Sequence, residues 1–370
     1  MILTRRGFLI FAGSSAAAAG AKVESIHTIS QDRDFYHGWP TITRRKNGEL
    51  LVVCSGGRDT HVCPFGRVDL IRSKDDGQTW TWPEILMDTA IDDRDAGILE
   101  TPKGSLLVTT FTSLAYEPTL QKATDWPQDR LERWRAADRR LTPAQRKSML
   151  GTWMLRSADG GMTWSAPYRV PVNSPHGPVA LADGRLLYAG KMLWEQPPKV
   201  GVAESSDDGL TWRWLSDIPT RSGDTFENYH ELHAVQAADG RIVVHIRNHN
   251  QANHRETLQC ESSDGGRTWS SPHPIGVWGL PSHLLRLKDG RLLMSYGHRR
   301  KPFGNQARLS SDHGRTWSAA ILISGDGMAG DLGYPSTVEL SNGTLLSVWY
   351  ELRSGSPNAV LRQARWRLDG

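Results

Sequence analysis

One octapeptide occurs five times along the chain: SKDDGQTW at 73–80, SADGGMTW at 157–164, SSDDGLTW at 205–212, SSDGGRTW at 262–269 and SSDHGRTW at 310–317. A motif Ser-x-Asp-x-Gly-x-Thr-Trp that returns in this way marks a fold built by repetition, in which no unit buries its apolar face alone. Each residue type has a mechanical reading. Asp accepts backbone hydrogen bonds across a tight turn, Gly supplies a positive φ, and Trp packs under the turn between sheets. These aspartates are therefore structural, not catalytic.

Between the boxes runs a second periodic signal, a Gly turn flanked by apolar residues: Asn47-Gly48, Lys103-Gly104, Asp183-Gly184, Asp239-Gly240, Asp289-Gly290 and Asn342-Gly343. Each unit reads as two strands joined by the Gly turn, then a loop, a third strand, the box and a fourth strand. Six such units predict an all-β fold, a six-bladed β-propeller of four-stranded antiparallel blades. The sixth unit lacks a box because the ring closes there. A last strand over Ala359–Leu368 and one near Ser25–Ser30 are expected to complete that blade from both termini and remove free edges. Between the first two box tryptophans, Trp80 and Trp164, lie about 36 residues more than the shortest interval requires. The excess, residues 113–151, includes Thr142-Pro143, an N-cap followed by Pro at the first helical position, and reads as a short helical insertion in blade 2.

The chain begins with Thr4-Arg5-Arg6-Gly7-Phe8-Leu9, a short apolar stretch and a small-residue tract ending Ala19-Gly20-Ala21. This is the outline of a twin-arginine export signal over residues 1–21, with 22–370 as a single mature domain in the periplasm or outside the cell. Among the 370 residues, 44 Lys and Arg against 40 Asp and Glu give a net charge of +4, half of it from the two leader arginines. The remainder is too small to argue for nucleic acid. No later apolar run approaches a bilayer span, so no stable membrane insertion is expected. Cys54, Cys63 and Cys260 form neither a disulfide framework nor a metal-type pair.

In this topology the starts of the first strands and the ends of the second strands meet on the face opposite the boxes, where long loops converge on the central channel. Counting nine residues back from each turn Gly gives a ring of Trp39, Asp95, Pro175, Glu231, Pro281 and Tyr334, with His37, Arg94, His176, His230 and His283 beside it. At the ends of the second strands stand Arg58, Arg247 and His298-Arg299-Arg300. A mouth holding Tyr, carboxylates, several His and several Arg exceeds what packing needs and suits an anionic, polar ligand. His37, His176 and His283 from alternate blades could approach a metal, but no ligand spacing supports one. No acidic loop for calcium is evident, and no cofactor is expected.

The box repeats, the six-unit layout and the mouth together resemble the sialidase (neuraminidase) superfamily over about Phe35 to Leu368. The resemblance implies an exo-glycosidase that removes a terminal acidic sugar, sialic acid or a relative, from a glycan or oligosaccharide. Sialidases carry a Tyr nucleophile at the start of the last blade, where Gly333-Tyr334-Pro335-Ser336 stands. Their Glu at the head of a middle blade, with an Arg at the end of the next strand, is matched by Glu231 and Arg247. A further Arg is matched by Arg299 or Arg300. Sialic acid carries a carboxylate on its anomeric carbon, so a neutral Tyr activated by Glu avoids the repulsion that a carboxylate nucleophile would meet. Arginines would bind that carboxylate. Two departures stand out. The first-blade Arg-Ile-Pro motif of sialidases is replaced by Gly38-Trp39-Pro40, so one clamp arginine is missing. The acid/base Asp of the first blade's loop is replaced by Gly57-Arg58-Asp59-Thr60-His61, which offers Asp59 or His61, with Asp95 a third candidate. A uronate-polysaccharide lyase or hydrolase and a non-catalytic carbohydrate-binding propeller are the alternatives.

Overall fold

The structure is a computed structural model that describes residues 20–195 and 198–369. Its strands form six four-stranded antiparallel sheets, five of them contiguous in sequence. The first blade shows the plan: Tyr36–Arg44, Leu50–Arg58, Arg67–Ser73 and the outer Glu84–Met87. The sixth blade is built from Leu332–Glu339, Leu345–Leu352, Ala359–Leu368 and, as its outer strand, Ala21–Thr28. Ala21 pairs with Leu368 and Thr28 with Arg362, so the closing strand starts four residues earlier than the Ser25 expected from sequence. The leader expected over 1–21 falls, up to residue 19, outside the described residues.

The apolar core is divided among the seams between blades. Blades 1 and 6 share Ile42, Leu50, Leu346 and Leu361; blades 3 and 4 share Leu187, Val202, Leu232 and Val244. Every other neighbouring pair has its own cluster. This follows from the pattern, because a blade buried on both faces must pack each face against a neighbour.

The boxes lock those seams. In the first, the Ser73 hydroxyl donates to Asp75 and accepts from the Gly77 amide, while Asp75 accepts from the backbone and side chain of Thr79. The other four boxes repeat these bonds. Each box Trp then packs into the seam with the preceding blade. Trp80 closes the ring by donating to Gln363 of blade 6 at 2.9 Å, and Trp317 donates to Gln259 of blade 4 at the same distance. At the seam of blades 5 and 6, which no box serves, Trp349 and Trp366 fill the space.

The insertion in blade 2 contains three helices, α1 (Tyr116–Gln121), α2 (Gln128–Arg139) and α3 (Pro143–Ser148). Thr142 caps α3 in a reciprocal capping box with Gln145, as Thr-Pro at that place predicts. The insertion has a core of its own, in which Trp134 and Tyr116 pack on Ile91 and on Cys63 of the first blade's loop. All three cysteines are buried and free. Among the described residues no helix is long and apolar enough to cross a membrane.

Candidate active site

Four residues of the counted ring share one backbone feature. Trp39, Asp95, Glu231 and Tyr334 have φ of 54°, 45°, 46° and 52°, the left-handed region that such side chains rarely enter. Each sits where strand register slips: between Gly38 and Thr41, Arg94 and Gly97, His230 and His233, and Gly333 and Ser336. A bulge inserts an extra residue and re-aims its side chain. Here it is used four times to turn a side chain out of the pleat and toward the channel. A non-glycine φ of this kind costs on the order of 1–3 kcal/mol and concentrates at functional sites.

The bulges bring Tyr334 and Glu231 together. The Tyr334 hydroxyl donates to Glu231 Oε1 at 2.5 Å, and Arg247 Nη1 donates to both Glu231 oxygens at 2.7 and 2.6 Å and to the Tyr334 oxygen at 3.1 Å. Tyr334 is buried, while 18% of the Glu231 side chain remains exposed, which leaves the pair reachable. Burial and the Glu231 charge push the Tyr334 hydroxyl well above its ordinary pKa, against the pull of Arg247. Burial alone would raise Glu231, but the charge and hydrogen bonds of Arg247, with the bond from Tyr334, hold it below the usual carboxylate range. In the resting site the proton thus stays on tyrosine and the charge on glutamate.

Arg299 joins them. Its guanidinium lies 5.6 Å from the Tyr334 ring centre, Nε donates to the Leu332 carbonyl, and the buried Nη2 has no partner among the described residues. The neighbouring Arg300 turns away and stacks on Trp278 at 3.8 Å. Arg94 lies over the Trp39 ring at 4.4 Å, held by Asp92 at 3.4 Å. Asp95 is 6% exposed, its Oδ1 has no partner among the described residues, and burial lifts it to about 7 against the pull of Arg94 and with the help of the Glu231 charge.

Other expected residues lie elsewhere. Arg58 is fully buried and its guanidinium grips Asp92 at 2.7 and 2.9 Å, so it is unavailable to a ligand; Nη2 also donates to the His61 carbonyl and Nε to that of Thr60, which fixes the loop. Asp59 faces the insertion, where Arg130 Nε, Arg133 Nη2 and Trp134 Nε1 donate to it at 2.8, 2.9 and 2.9 Å. Burial opposes, but those donors hold its carboxyl below the usual range, which disfavours a role as proton donor. His61, two residues on, stays at the mouth, edge-on to Trp39 at 5.0 Å. His37 is buried near Asp32 and Arg67 and lowered to about 4 by burial.

His176 and His283 form a buried cluster with His233, with ring centres 4.6 to 5.3 Å apart, and His176 lies 6.5 Å from the Tyr334 ring. Burial lowers all three, His283 to about 3, so they line the floor as neutral rings. Among the described residues no group of three or more His, Cys, Asp or Glu could hold a metal ion. Sequence reasoning missed Tyr36, Tyr350 and Asp331, which stand beside His61. Tyr36 and Tyr350 donate to Asp331 at 3.0 and 2.8 Å.

The comparisons agree with this architecture. A family model described as "BNR repeat-like domain" matches residues 124–346, more than half of the chain. A sialidase from Micromonospora viridifaciens is 26% identical over 205 residues, 45% of this chain and 31% of that protein. A xyloglucanase from a Paenibacillus species is 24% identical over 263 residues, 59% of this chain and 24% of that protein. The chain thus spans about a quarter to a third of the length of these curated relatives. Among solved structures, a protein of unknown function from Dyadobacter fermentans superposes with a TM-score of 0.77 at 23% identity, covering 95% of this chain and all of that one. The NanB sialidase of Streptococcus pneumoniae gives 0.64 at 14% identity, covering 94% of this chain and 70% of that one. The chain belongs to the BNR repeat-like family, and sialidases are among the proteins it resembles at low identity and in fold.

Proposed function

We propose that the protein is an exported retaining exo-glycosidase that releases a terminal acidic sugar, sialic acid or a relative, through Tyr334. The observation that carries this reading is the 2.5 Å bond from the Tyr334 hydroxyl to Glu231 under Arg247. In the first step the phenol oxygen attacks the anomeric carbon as Glu231 takes its proton, and a mouth residue protonates the leaving oxygen. The raised Tyr334 pKa and lowered Glu231 pKa mean that the proton moves only as the new bond forms. Arg247 Nη1, already 3.1 Å from the phenol oxygen, stabilises the charge that develops there. In the second step water releases the sugar with net retention and Glu231 returns the proton.

The substrate carboxylate would sit against Arg299, whose Nη2 is unpartnered, with Arg94 and Arg247 around it. The buried acid Asp95, protonated near neutrality, would donate to a sugar hydroxyl. Export would follow the twin-arginine leader.

The test is release of 4-methylumbelliferone from its sialoside by the mature protein and by Tyr334→Phe. Turnover that falls by roughly 10³-fold or more in a folded Tyr334→Phe protein is the expected result. A Tyr334→Phe protein that keeps the wild-type rate overturns the nucleophile. If sialosides stay intact, ultraviolet absorbance from an unsaturated uronate product would identify a lyase. Saturable glycan binding without any product would identify a binding propeller.

A further inference from the structure

A second cluster at the mouth is not used by the Tyr334–Glu231–Arg247 group. His61 Nδ1 lies 2.9 Å from Asp331 Oδ1 and 2.9 Å from the Tyr36 hydroxyl. Asp331 also accepts from Tyr36 at Oδ2 and from Tyr350 at Oδ1. An ionised carboxylate only accepts, so Nδ1 carries the proton toward Asp331, and Nε2 has no protein hydrogen bond among the described residues. Burial would raise Asp331, but the bond and charge of His61 and the two tyrosine hydroxyls hold it below the usual range. The pair is open to solvent, with 43% of the His61 side chain and 40% of the Asp331 side chain exposed.

Its position is tied to the nucleophile. Trp39 touches both rings, His61 at 5.0 Å and Tyr334 at 6.4 Å between centres, and Asp331 precedes Tyr334 by three residues. The loop is fixed from behind by Arg58 on the His61 carbonyl and by the insertion on Asp59. A Cβ at Gly38 would meet the Tyr36 ring at 3.0 Å, so a side chain there would have to push against the tyrosine that supports the pair. The groups around His61 are Tyr36 and Trp39 of blade 1, Arg58 of its loop, and Asp331 and Tyr350 of blade 6. Asp331 is the carboxylate among them, and the Arg58 charge is spent on Asp92.

We propose that His61 is the acid/base catalyst of this site and Asp331 its positioning residue, a proposal that rests on the glycosidase reading. In the first step imidazolium Nε2–H gives its proton to the leaving oxygen as the bond from that oxygen to the anomeric carbon breaks. The Tyr334 oxygen forms the new bond, and its proton passes to Glu231. In the second step neutral Nε2 takes a proton from the attacking water, the tyrosyl–sugar bond breaks, and Glu231 reprotonates Tyr334. Protons and charge balance over the cycle. Asp331 fixes the ring with Nε2 outward.

The experiment compares two glycosides of one acidic sugar, an aryl glycoside whose phenol leaves without help and an alkyl glycoside whose alcohol needs protonation. His61→Ala is expected to lose about 10²–10⁴-fold in kcat/KM on the alkyl glycoside and under about tenfold on the aryl one. Added azide should intercept the stalled sugar. Asp331→Asn is expected to lower kcat/KM on the alkyl glycoside more than on the aryl one, with Asp331→Glu restoring part of it. Equal loss on both glycosides in His61→Ala, or selective loss in Asp95→Asn instead, overturns the assignment. Nitrogen-15 NMR of the wild type is independent of turnover. Neutral His61 should carry its proton on Nδ1, and an Nε2–H tautomer overturns the pair. An intact Nδ1–H pair in a protein that cleaves neither glycoside overturns the catalytic role together with the glycosidase reading, whereas turnover with the wrong tautomer sinks the pair alone.

Discussion

At the box end, Asp75, Asp159, Asp207, Asp264 and Asp312 perform one task five times, each tying a Ser and a Thr into the same turn. At the mouth a repeated backbone kink carries four different side chains, Trp39, Asp95, Glu231 and Tyr334. One end repeats sequence and geometry together, because five of the six seams use the same lock. The other repeats only the geometry. A bulge at a fixed register places any side chain into the channel, so the chemistry can differ blade by blade while the ring stays the same.

The largest effect should appear when the ends are crossed by mutation. Tyr334→Phe is expected to abolish turnover by roughly 10³-fold or more and leave the melting temperature within a few degrees. Asp264→Ala should do the reverse, lowering the melting temperature while the folded fraction keeps wild-type kcat. If Asp264→Ala changes kcat at constant folded fraction, the separation of ends is wrong.

A smaller effect concerns the arginine at the mouth. Arg299→Ala removes Nη2, a charged donor with no partner among the described residues, and loss of a bond from such a donor to a ligand is worth about 1.5–3 kcal/mol. The expected result is a KM rise of about 10- to 100-fold for a carboxylated sugar and little change for the same sugar as its amide. An equal rise for both would place Arg299 outside carboxylate recognition.

The two ends also oppose each other in pH. All five box aspartates are held below the usual range, Asp75 at about 2 by the Thr79 side chain and then its amide; in Asp207 and Asp312 burial works against this and the same bonds outweigh it. A depressed carboxyl contributes stability that is present above its unfolded pKa, near 4, and is lost as pH falls through the folded value. Burial lifts Asp95 to about 7 and Asp93 to about 8. A raised carboxyl contributes stability that is full below about 4 and lost as pH rises through the folded value. The melting temperature should therefore fall off on both sides. Asp95→Asn should flatten the alkaline side between pH 5 and 8 and leave the acid side unchanged. An unchanged alkaline slope would mean that Asp95 is ionised in the folded protein.

The blades, their number and their closure are legible in the sequence because each rests on a local signal, the box or the Gly turn, repeated until chance is excluded. The ring at the mouth is legible by counting, since a bulge shifts register by a fixed amount. What escapes is contact between elements far apart in the chain. Asp331 lies 270 residues from His61, in a Gly-rich approach to the last blade that carries no period. Nothing local distinguishes Asp59 from His61 either. Only the insertion decides between them, because α2 brings Arg130, Arg133 and Trp134 to one and leaves the other at the mouth.

That distinction gives the smallest predicted effect. If Asp59 serves as the clamp of the insertion, Asp59→Ala leaves the buried Trp134 indole without an acceptor and two arginines without a partner. The loss should be about 1–3 kcal/mol, a few degrees in melting temperature, with a change in Trp fluorescence as α2 loosens. Because His61 is two residues away, a modest fall in kcat/KM is expected as well, but it should be equal for aryl and alkyl glycosides, since a displaced loop slows both. A fall confined to the alkyl glycoside would instead make Asp59 the proton donor. The first blade's loop would then carry its catalytic group in the position that the resemblance to sialidases implies, and the His61–Asp331 pair would be scaffold, as the boxes are.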